Sequence, residues 1–273
     1  MHLNYHFFKF LCPALQSEIS GGTVVACFSQ NKEELIIEIK RRDGRPFYIR
    51  ALLLPSNPCL SFPKDFKRSK KNNVDLFPEA IGKKITELRL LSFERAFYFI
   101  LDEDQALLFK MHGSRSNILY FSEKENLPSN IFRKELKEDQ TIKIQGLEKD
   151  LTLTWERFKE LEGNASQFLP TLGKLPRAWL KEAGYLEAGL EERFSLMTEL
   201  LAMMEVPFFS IFKKNDNYLL SLLPYQSAIA STSDPLEACN LYFQKAVVRK
   251  NFESVKNQLL RNLNERRKKT LNY

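Results

Sequence analysis

Residues 85–121 have the sequence ITELRLL SFER AFYFIL DEDQ ALLFKM HGSRS NILYF, in which four apolar runs alternate with short polar turns. Aromatic and β-branched residues in the runs, with acidic residues, serine and glycine in the turns, are typical of short strands joined by tight turns. Three similar runs precede them, and Asp43-Gly44 between two of these predicts a hairpin. The predicted strands are Thr23–Phe28, Leu35–Lys40, Phe47–Leu54, Ile85–Leu91, Ala96–Leu101, Ala106–Met111 and Asn117–Phe121. Seven short strands at close spacing predict an antiparallel sheet or sandwich.

The hydrophobic period changes from strand-like to helical near residue 150. A helix is also predicted within residues 1–20, where apolar residues recur at helical spacing up to Gly21-Gly22. Later elements are predicted as a helix at Trp155–Leu161, two short helices around Gly173 that resemble a helix-hairpin-helix, a helix at Leu190–Met204, and a β-hairpin of Phe208–Phe212 and Tyr218–Leu223. The sequence therefore predicts an α+β fold in four parts: a β-rich domain (1–150), a helical segment (151–205), a β-hairpin (206–230) and the first arm of a coiled coil (231–273).

The last of these parts is predicted as one long helix. Asp234 is a suitable N-cap, and Pro235 suits the first helical position. Apolar residues then recur at spacings of four, three and four, as in the seam of a coiled coil: Val248, Phe252, Val255 and Leu259. Because a long amphipathic helix is unstable alone, we expect its partner arm in a missing C-terminal half of the same chain.

The net charge of +7 is concentrated near the C-terminus. Residues 245–269 contain nine Lys or Arg and two acidic residues, an excess equal to that of the whole chain. Such a cluster suits the phosphate backbone of a nucleic acid or an acidic membrane surface, while a solvated helix face has the same pattern.

Several functional classes are disfavoured. No apolar run is long enough to cross a bilayer, and residues 1–10 lack the features of a secretory signal. The four cysteines form no Cys-x-x-Cys pair, which argues against disulfides or a zinc site and favours the cytoplasm. His2 and His6 are spaced to share a helix face but have no further ligand nearby, and no phosphate-binding loop or nucleophile motif occurs. We therefore expect no membrane partner, no metal, no cofactor and no catalytic centre.

The loop at residues 62–71 has the composition of a binding surface. It combines Phe62 and Phe66 with five cations: Lys64, Lys67, Arg68, Lys70 and Lys71. Basic residues interleaved with aromatic ones can hold phosphates and stack bases, and a mobile solvated loop is the alternative interpretation.

The turn within residues 109–118 is a second candidate. Gly113 permits a sharp reversal of the chain, and Arg115, Ser116 and Asn117 offer polar groups at its tip. A hydrogen-bonded turn, in which these side chains satisfy the local backbone, is the alternative interpretation.

Four motifs occur in a defined order: Gly21-Gly22, Phe77-Pro-Glu-Ala-Ile-Gly-Lys-Lys-Ile85, Phe93-Glu-Arg95 and Lys110-Met-His-Gly-Ser-Arg-Ser-Asn-Ile-Leu119. This order resembles the N-terminal domain of the NFACT family, also called the fibronectin-binding protein A N-terminal domain. The Gly-x-x-Ser-Asn-Ile turn is the most specific motif. The helix-hairpin-helix-like segment and the start of a coiled coil follow in the family's order, so the similarity extends over the whole chain.

The resemblance implies a fold like the N-terminal domain of formamidopyrimidine-DNA glycosylases, and a role in ribosome-associated quality control. Family members bind a large ribosomal subunit obstructed by peptidyl-tRNA. They recruit tRNA, alanyl-tRNA in bacteria, for untemplated tailing of the stalled peptide. The ribosome makes the peptide bonds, so the resemblance implies an RNA-binding factor and not an enzyme.

The resemblance also implies a tRNA site at Arg95, with Glu94 orienting its guanidinium and Asn4 contributing. The family typically has aspartate where this chain has Glu94 and Asn4. An ion pair that ties the strand end to a neighbour is the alternative interpretation of Arg95.

Two other functions are weighed against this one. A DNA glycosylase is suggested by analogy of fold alone, but the proline amine, the following glutamate and the zinc finger of that enzyme class have no counterpart here. A fibronectin- or fibrinogen-binding adhesin is the other alternative, and no export signal is visible for it.

Overall fold

The computed structural model describes residues 2–271, and its first element is a helix buried along one face. α1, Tyr5–Ile19, begins at Asn4, whose side chain accepts a hydrogen bond from the His6 N–H. Apolar residues at helical spacing bury one face of α1: Phe7, Phe8, Leu11, Cys12, Leu15 and Ile19. These side chains belong to one core that they share with both large sheets.

The first sheet has five antiparallel strands in the order β4-β3-β2-β1-β5. Its strands are β1 Thr23–Ser29, β2 Glu34–Lys40, β3 Pro46–Leu52, β4 Cys59–Ser61 and β5 Val74–Asp75. The hairpin predicted at Asp43-Gly44 joins β2 to β3, with Lys40 opposite Pro46.

The second sheet also has five antiparallel strands, in the order β10-β9-β8-β7-β6. Its strands are β6 Ile85–Leu90, β7 Ala96–Leu101, β8 Ala106–Lys110, β9 Asn117–Phe121 and β10 Asn130–Ile131. Phe97 of β7 stands opposite Phe109 of β8, their ring centroids 4.9 Å apart, and Phe8 of α1 packs edge-on against Phe97. Aromatic side chains therefore join this sheet to α1.

Helices and a small third sheet follow. The helices are α2 Trp155–Glu160, α3 Ala165–Phe168, α4 Lys174–Glu182 and α5 Leu190–Met204. The third sheet has the order β12-β11-β13, with β11 Phe209–Lys214, β12 Asn217–Ser221 and β13 Ala228–Thr232. It joins the main core through Phe209, whose ring packs edge-on against Phe7 of α1.

The C-terminal helix is interrupted. α6, Pro235–Phe243, starts at the predicted N-cap Asp234 and packs against β4, where the Asn240 amide exchanges two hydrogen bonds with the backbone of Phe62. A π-helical turn, Gln244–Arg249, separates α6 from α7, Lys250–Leu271. The continuous helix predicted from residue 234 therefore changes its hydrogen-bonding register at residue 244. Within residues 2–271, no helix combines the length and apolar character that a bilayer crossing requires.

The predicted α+β class with antiparallel sheets is confirmed, and each of the seven predicted strands occurs within two residues of its expected bounds. The four strands β4, β5, β10 and β13 were not predicted. The domain boundaries stay predictions, as do the glycosylase-like fold, the helix-hairpin-helix and the coiled coil. Around Gly173 the structure has α3, a five-residue connection and α4.

Candidate functional site: a basic cleft

A cleft of about 700 Å³ lies where the start of α1, the β6–β7 turn, the α3–α4 connection and the third sheet meet. We call it the basic cleft. Its charged lining residues are Arg95, Lys149, Lys174, Arg177, Lys214 and Glu94. The described lining thus carries five Lys or Arg side chains and one carboxylate. A surface of this composition attracts anions.

Glu94 is buried at the edge of the cleft, and its carboxylate is fully engaged. Its two oxygens lie 3.0 Å from His112 Nε2 and 2.9 Å from Lys149 Nζ. One of them also accepts a 2.7 Å hydrogen bond from the backbone N–H of Arg95. Burial raises the pKa of Glu94, but the contacts with His112, Lys149 and the Arg95 N–H outweigh it and lower the pKa to about 2. Glu94 is therefore ionised at neutral pH.

This arrangement corrects the expected role of Glu94. The carboxylate caps the backbone of Arg95 and pairs with His112 and Lys149, and it does not hold the Arg95 guanidinium. The turn that presents it is tight, because Phe93 adopts a left-handed backbone conformation with φ 49°. The Phe93 ring packs against Tyr5 of α1 with centroids 5.0 Å apart. Glu94 thus stabilises the turn from which Arg95 projects.

The backbone of Arg95 is held by hydrogen bonds, whereas its side chain is exposed. Its N–H is bound by Glu94, and its carbonyl accepts a 2.8 Å hydrogen bond from the Met111 N–H. The side chain is exposed, and its guanidinium makes no hydrogen bond or ion pair with any residue in the described range 2–271. The ion-pair interpretation of Arg95 is therefore not supported, and its five donors face the cleft unused.

Asn4 lies at the inner end of the cleft and is buried. Its Oδ1 accepts from the His6 N–H at 2.9 Å, and its Nδ2 donates to the carbonyls of Thr171 and Leu172 at 2.7 and 3.4 Å. The predicted ligand role is corrected to a structural one, since the polar atoms of this amide are already bonded to the protein.

The turn at residues 113–117 does not belong to the cleft. Ser116 and Asn117 are fully buried, which corrects the prediction that they contact RNA. Asn117 Nδ2 donates to Asp139 at 2.7 Å, and its Oδ1 accepts from the Arg133 N–H at 2.8 Å. Of the three residues predicted to contact RNA here, Arg115 alone is exposed, with Glu138 at 3.8 Å. The hydrogen-bonded interpretation of this turn is therefore supported.

The loop at residues 62–71 forms a separate basic surface. Its lysines Lys64, Lys67, Lys70 and Lys71 are exposed. Arg68 pairs with Asp75 at 2.8 Å and lies 4.5 Å above the Phe28 ring. Phe62 is buried against Phe47, so its ring is not exposed for stacking on a base. These cations remain candidates for contacts with phosphates outside the cleft.

Four cations of the cleft were missed by sequence reasoning: Lys149, Lys174, Arg177 and Lys214. Lys174 begins α4 directly after Gly173, a position that the predicted helix start could have indicated. Lys149 is brought in by a hydrogen bond from its own N–H to the Ser92 carbonyl at 3.0 Å. No local pattern marks Lys149 or Lys214, because tertiary packing alone unites them.

A neighbouring groove of about 680 Å³ shares Arg177 with the cleft. Its cations are Arg177, Lys181 and Arg193, and Glu160 and Glu162 offset most of that charge. It is therefore a weaker anion site than the basic cleft. Among the described residues, no three His, Cys, Asp or Glu side chains come together as a metal site requires.

Comparison with known proteins identifies similar folds. No protein-family model and no curated protein sequence matches the chain. The fibrinogen binding protein from Staphylococcus aureus has a similar structure, with a TM-score of 0.64 and 12% identity over 89% of this chain and 99% of that one. The N-terminal part of the fibronectin/fibrinogen-binding protein from Streptococcus suis gives 0.63 and 14%, over 88% and 98%. The N-terminal domain of the fibronectin-binding protein PavA from Streptococcus pneumoniae gives 0.50 and 13%, over 89% and 98%. The chain therefore has the fold of fibronectin/fibrinogen-binding protein N-terminal domains.

Proposed function

We propose that this protein binds RNA through the basic cleft and that its ligand there is a tRNA. The observation that supports this most directly is Arg95, an exposed arginine with no partner among residues 2–271 in a cleft with five cations. An unpaired guanidinium costs the folded protein little and can bind a phosphate or a base edge through two parallel hydrogen bonds.

The charge of the cleft favours a polyanion over a small neutral ligand. Its single carboxylate, Glu94, is already paired with Lys149 and lies 3.0 Å from His112 Nε2. Among the described residues that line the cleft, no second carboxylate offsets the charge of the remaining cations. Phosphate contacts of this kind release counterions, so binding should weaken steeply as salt is raised.

The wider role follows from the resemblance to the NFACT family. In this role the protein binds a large ribosomal subunit obstructed by peptidyl-tRNA and recruits tRNA, with alanyl-tRNA the first choice to test. The exposed cations at residues 64–71 and the cationic α7 supply further surface for RNA. The apolar seam of α7 is exposed, as the first arm of a coiled coil would be, with Phe252 67% accessible.

The test compares two exposed arginines at turns of the same sheet. Binding of labelled tRNA to the 273-residue chain is measured by fluorescence anisotropy for wild type, Arg95→Ala and Arg115→Ala. We expect Arg95→Ala to weaken binding about tenfold or more, the loss of one charge-assisted contact, and Arg115→Ala to change it less than about twofold. Melting curves should coincide for all three, because neither side chain makes a close ion pair. Equal effects of the two substitutions would refute the cleft as the binding site.

A second candidate function comes from the names of the similar structures. The described fold matches proteins named for binding fibronectin or fibrinogen, so this chain is also a candidate for such binding. Immobilised fibronectin and fibrinogen, with serum albumin as control, test it. Saturable binding that Arg95→Ala leaves unchanged would place this activity on another surface.

A further inference from the structure

We infer that Asn4 and Tyr5 fix the distance between two cationic walls of the basic cleft. The first wall is the α3–α4 connection with Lys174 and Arg177, which Asn4 holds through the backbone around Gly173. The second wall is the β6–β7 turn with Arg95, which Tyr5 holds through Phe93. Asn4 is then a positioning residue, which acts on the ligand through the loop it binds. The inference takes its ligand, tRNA, from the proposed function. The contact between the Asn4 side chain and the backbone of Thr171 and Leu172, which we call the latch, rests on the geometry alone.

The first wall is held by the Asn4 side chain. Its Nδ2 donates to the Thr171 carbonyl at 2.7 Å and lies 3.4 Å from the Leu172 carbonyl, while its Oδ1 caps α1 through the His6 N–H at 2.9 Å. Asparagine supplies an acceptor and a donor at once. Aspartate has the acceptor only, so it can cap α1 but cannot bind the two carbonyls.

The contact between Asn4 and this loop also requires glycine at position 173. Its φ is +79°, and a Cβ atom there would stand 3.0 Å from Asn4 Nδ2. A side chain would therefore be strained by the backbone and would also press on the amide. The close approach of this loop to Asn4 depends on glycine.

The held peptide leads directly into the cations of α4. Lys174 follows Gly173, and the Arg177 Nε donates to the Gly173 carbonyl at 2.9 Å. The position of Arg177 is thus tied to the backbone that Asn4 holds. The Thr171 hydroxyl adds a weaker contact, 3.4 Å from the buried His6 Nε2.

The second wall is held by the next residue. The Tyr5 ring packs on Phe93 with centroids 5.0 Å apart, and Glu94 and Arg95 follow Phe93 in the same turn. Two consecutive residues of α1 and its cap therefore contact the two segments that carry Arg95 and Arg177. Because one face of α1 is buried along the helix, these contacts share one rigid support.

Asn4→Asp separates positioning from simple destabilisation. At about pH 8 the introduced carboxylate keeps the cap of α1 but faces two carbonyl oxygens, so the loop should move and tRNA affinity should fall about tenfold. At about pH 5.5 the protonated fraction of the introduced carboxyl regains one O–H donor. The two nearby carbonyls raise the pKa of such a group, while the His6 N–H, the N-terminus of α1 and the cations of the cleft lower it. Affinity relative to wild type should then recover by about threefold or more. A merely destabilised variant would gain nothing from acid.

Two control variants disrupt the contact between Asn4 and the loop without introducing a titratable group. Asn4→Ala has no donor at any pH, and Gly173→Ala disturbs the loop from the other side, so both should lose affinity without recovery in acid. Hydrogen exchange of residues 170–177, corrected for intrinsic rates, reports the latch without RNA and should rise in all three variants under the alkaline condition. Unchanged exchange would overturn the latch, and raised exchange with wild-type tRNA affinity would overturn its role in binding. If the wild type itself binds no tRNA, the proposed function fails, and raised exchange still supports the latch.

Discussion

Two turns of the second sheet contain an arginine and other polar residues, and the protein uses them in opposite ways. In the β6–β7 turn the acid, Glu94, is buried and bonded, and Arg95 is left exposed in a cleft. In the β8–β9 turn, Ser116 and Asn117 are buried, and Arg115 is exposed away from the cleft. A polar sequence motif in a turn can therefore be characteristic of a family because the fold requires it, and not because it binds a ligand. Whether an exposed arginine forms part of a binding site depends on the charged residues around it.

The β8–β9 turn is built over a buried polar network. Lys110 and Asp139 form an ion pair that is almost fully buried, and Asn117 donates to the same carboxylate at 2.7 Å. Arg133 donates to the carbonyls of Ser114 and Ser116, at 3.0 Å each. The Gly-x-x-Ser-Asn-Ile motif, the most specific part of the family resemblance, thus serves the architecture of the sheet.

The largest expected effect is on this network. Asp139→Ala leaves the Lys110 ammonium buried without a counter-charge and should lower the free energy of unfolding by about 3–5 kcal/mol. Urea unfolding measures the loss. The double variant Lys110→Met/Asp139→Leu, which removes both charges, should recover most of it. If Asp139→Ala unfolds like wild type, or if it alone abolishes tRNA binding while folded, the division between the two turns is wrong.

Acid should lower the free energy of unfolding through His6, a buried residue of α1 whose ring contacts Thr171 beside the basic cleft. Burial, with a smaller effect of Lys9 opposed by Glu205, lowers the pKa of His6 to about 4. The unfolded chain has an ordinary histidine pKa of about 6.5, so it takes up the proton first. The free energy of unfolding should be at its full value above about pH 6.5 and fall by about 1.4 kcal/mol per pH unit towards about pH 4.

His6→Gln removes this titration and is the matched control. Urea unfolding of both proteins at about pH 7.5, 6 and 5, values that span the fall, isolates the contribution of His6 as the difference between them. We expect the variant to lose less stability on acidification than wild type does. Parallel pH profiles would show that His6 is not buried as a neutral side chain.

Most of the fold was predictable from the sequence, because the strands β1–β3 and β6–β9 are short runs rich in apolar, aromatic and β-branched residues. The strands β4, β5 and β10 have only two or three residues, too few to show a period. β13, Ala228–Thr232, is largely exposed and consists mostly of small residues, so it has no apolar pattern. The register change at residue 244 has no proline or glycine to announce it.

The candidate site was predictable only in part. Arg95 and Glu94 were found through a resemblance, and Asn4 stands before an apolar helix, where an N-cap is the ordinary expectation. The partners Lys149, Lys174 and Lys214 come from three distant segments, united by backbone contacts such as that from Lys149 to Ser92. Long-range packing of this kind leaves no local signal in a single sequence.

A smaller effect is expected from removing the charge of Glu94. Glu94→Gln keeps an acceptor for the Arg95 N–H and frees the Lys149 charge, so tRNA affinity at low salt should rise about twofold to fivefold. Glu138→Gln makes the same charge change beside Arg115, outside the cleft, and should leave affinity unchanged. A loss of affinity in Glu94→Gln would instead mean that the carboxylate orients Arg95 when RNA binds.

The smallest expected effect, and the closest comparison of the two turns, is the salt dependence of binding. The slope of log affinity against log salt counts phosphate contacts, and loss of one contact lowers its magnitude by about 1. Arg95→Ala should lower the slope by that amount, because its guanidinium has no partner among residues 2–271 to exchange for a phosphate. Arg115→Ala should leave the slope within error, since its guanidinium lies outside the cleft with Glu138 at 3.8 Å. Titrations of labelled tRNA over a series of salt concentrations, on both variants and wild type, measure the slopes. An equal decrease in both variants would mean that the RNA covers both turns, and the contrast between a structural turn and a binding turn would fail.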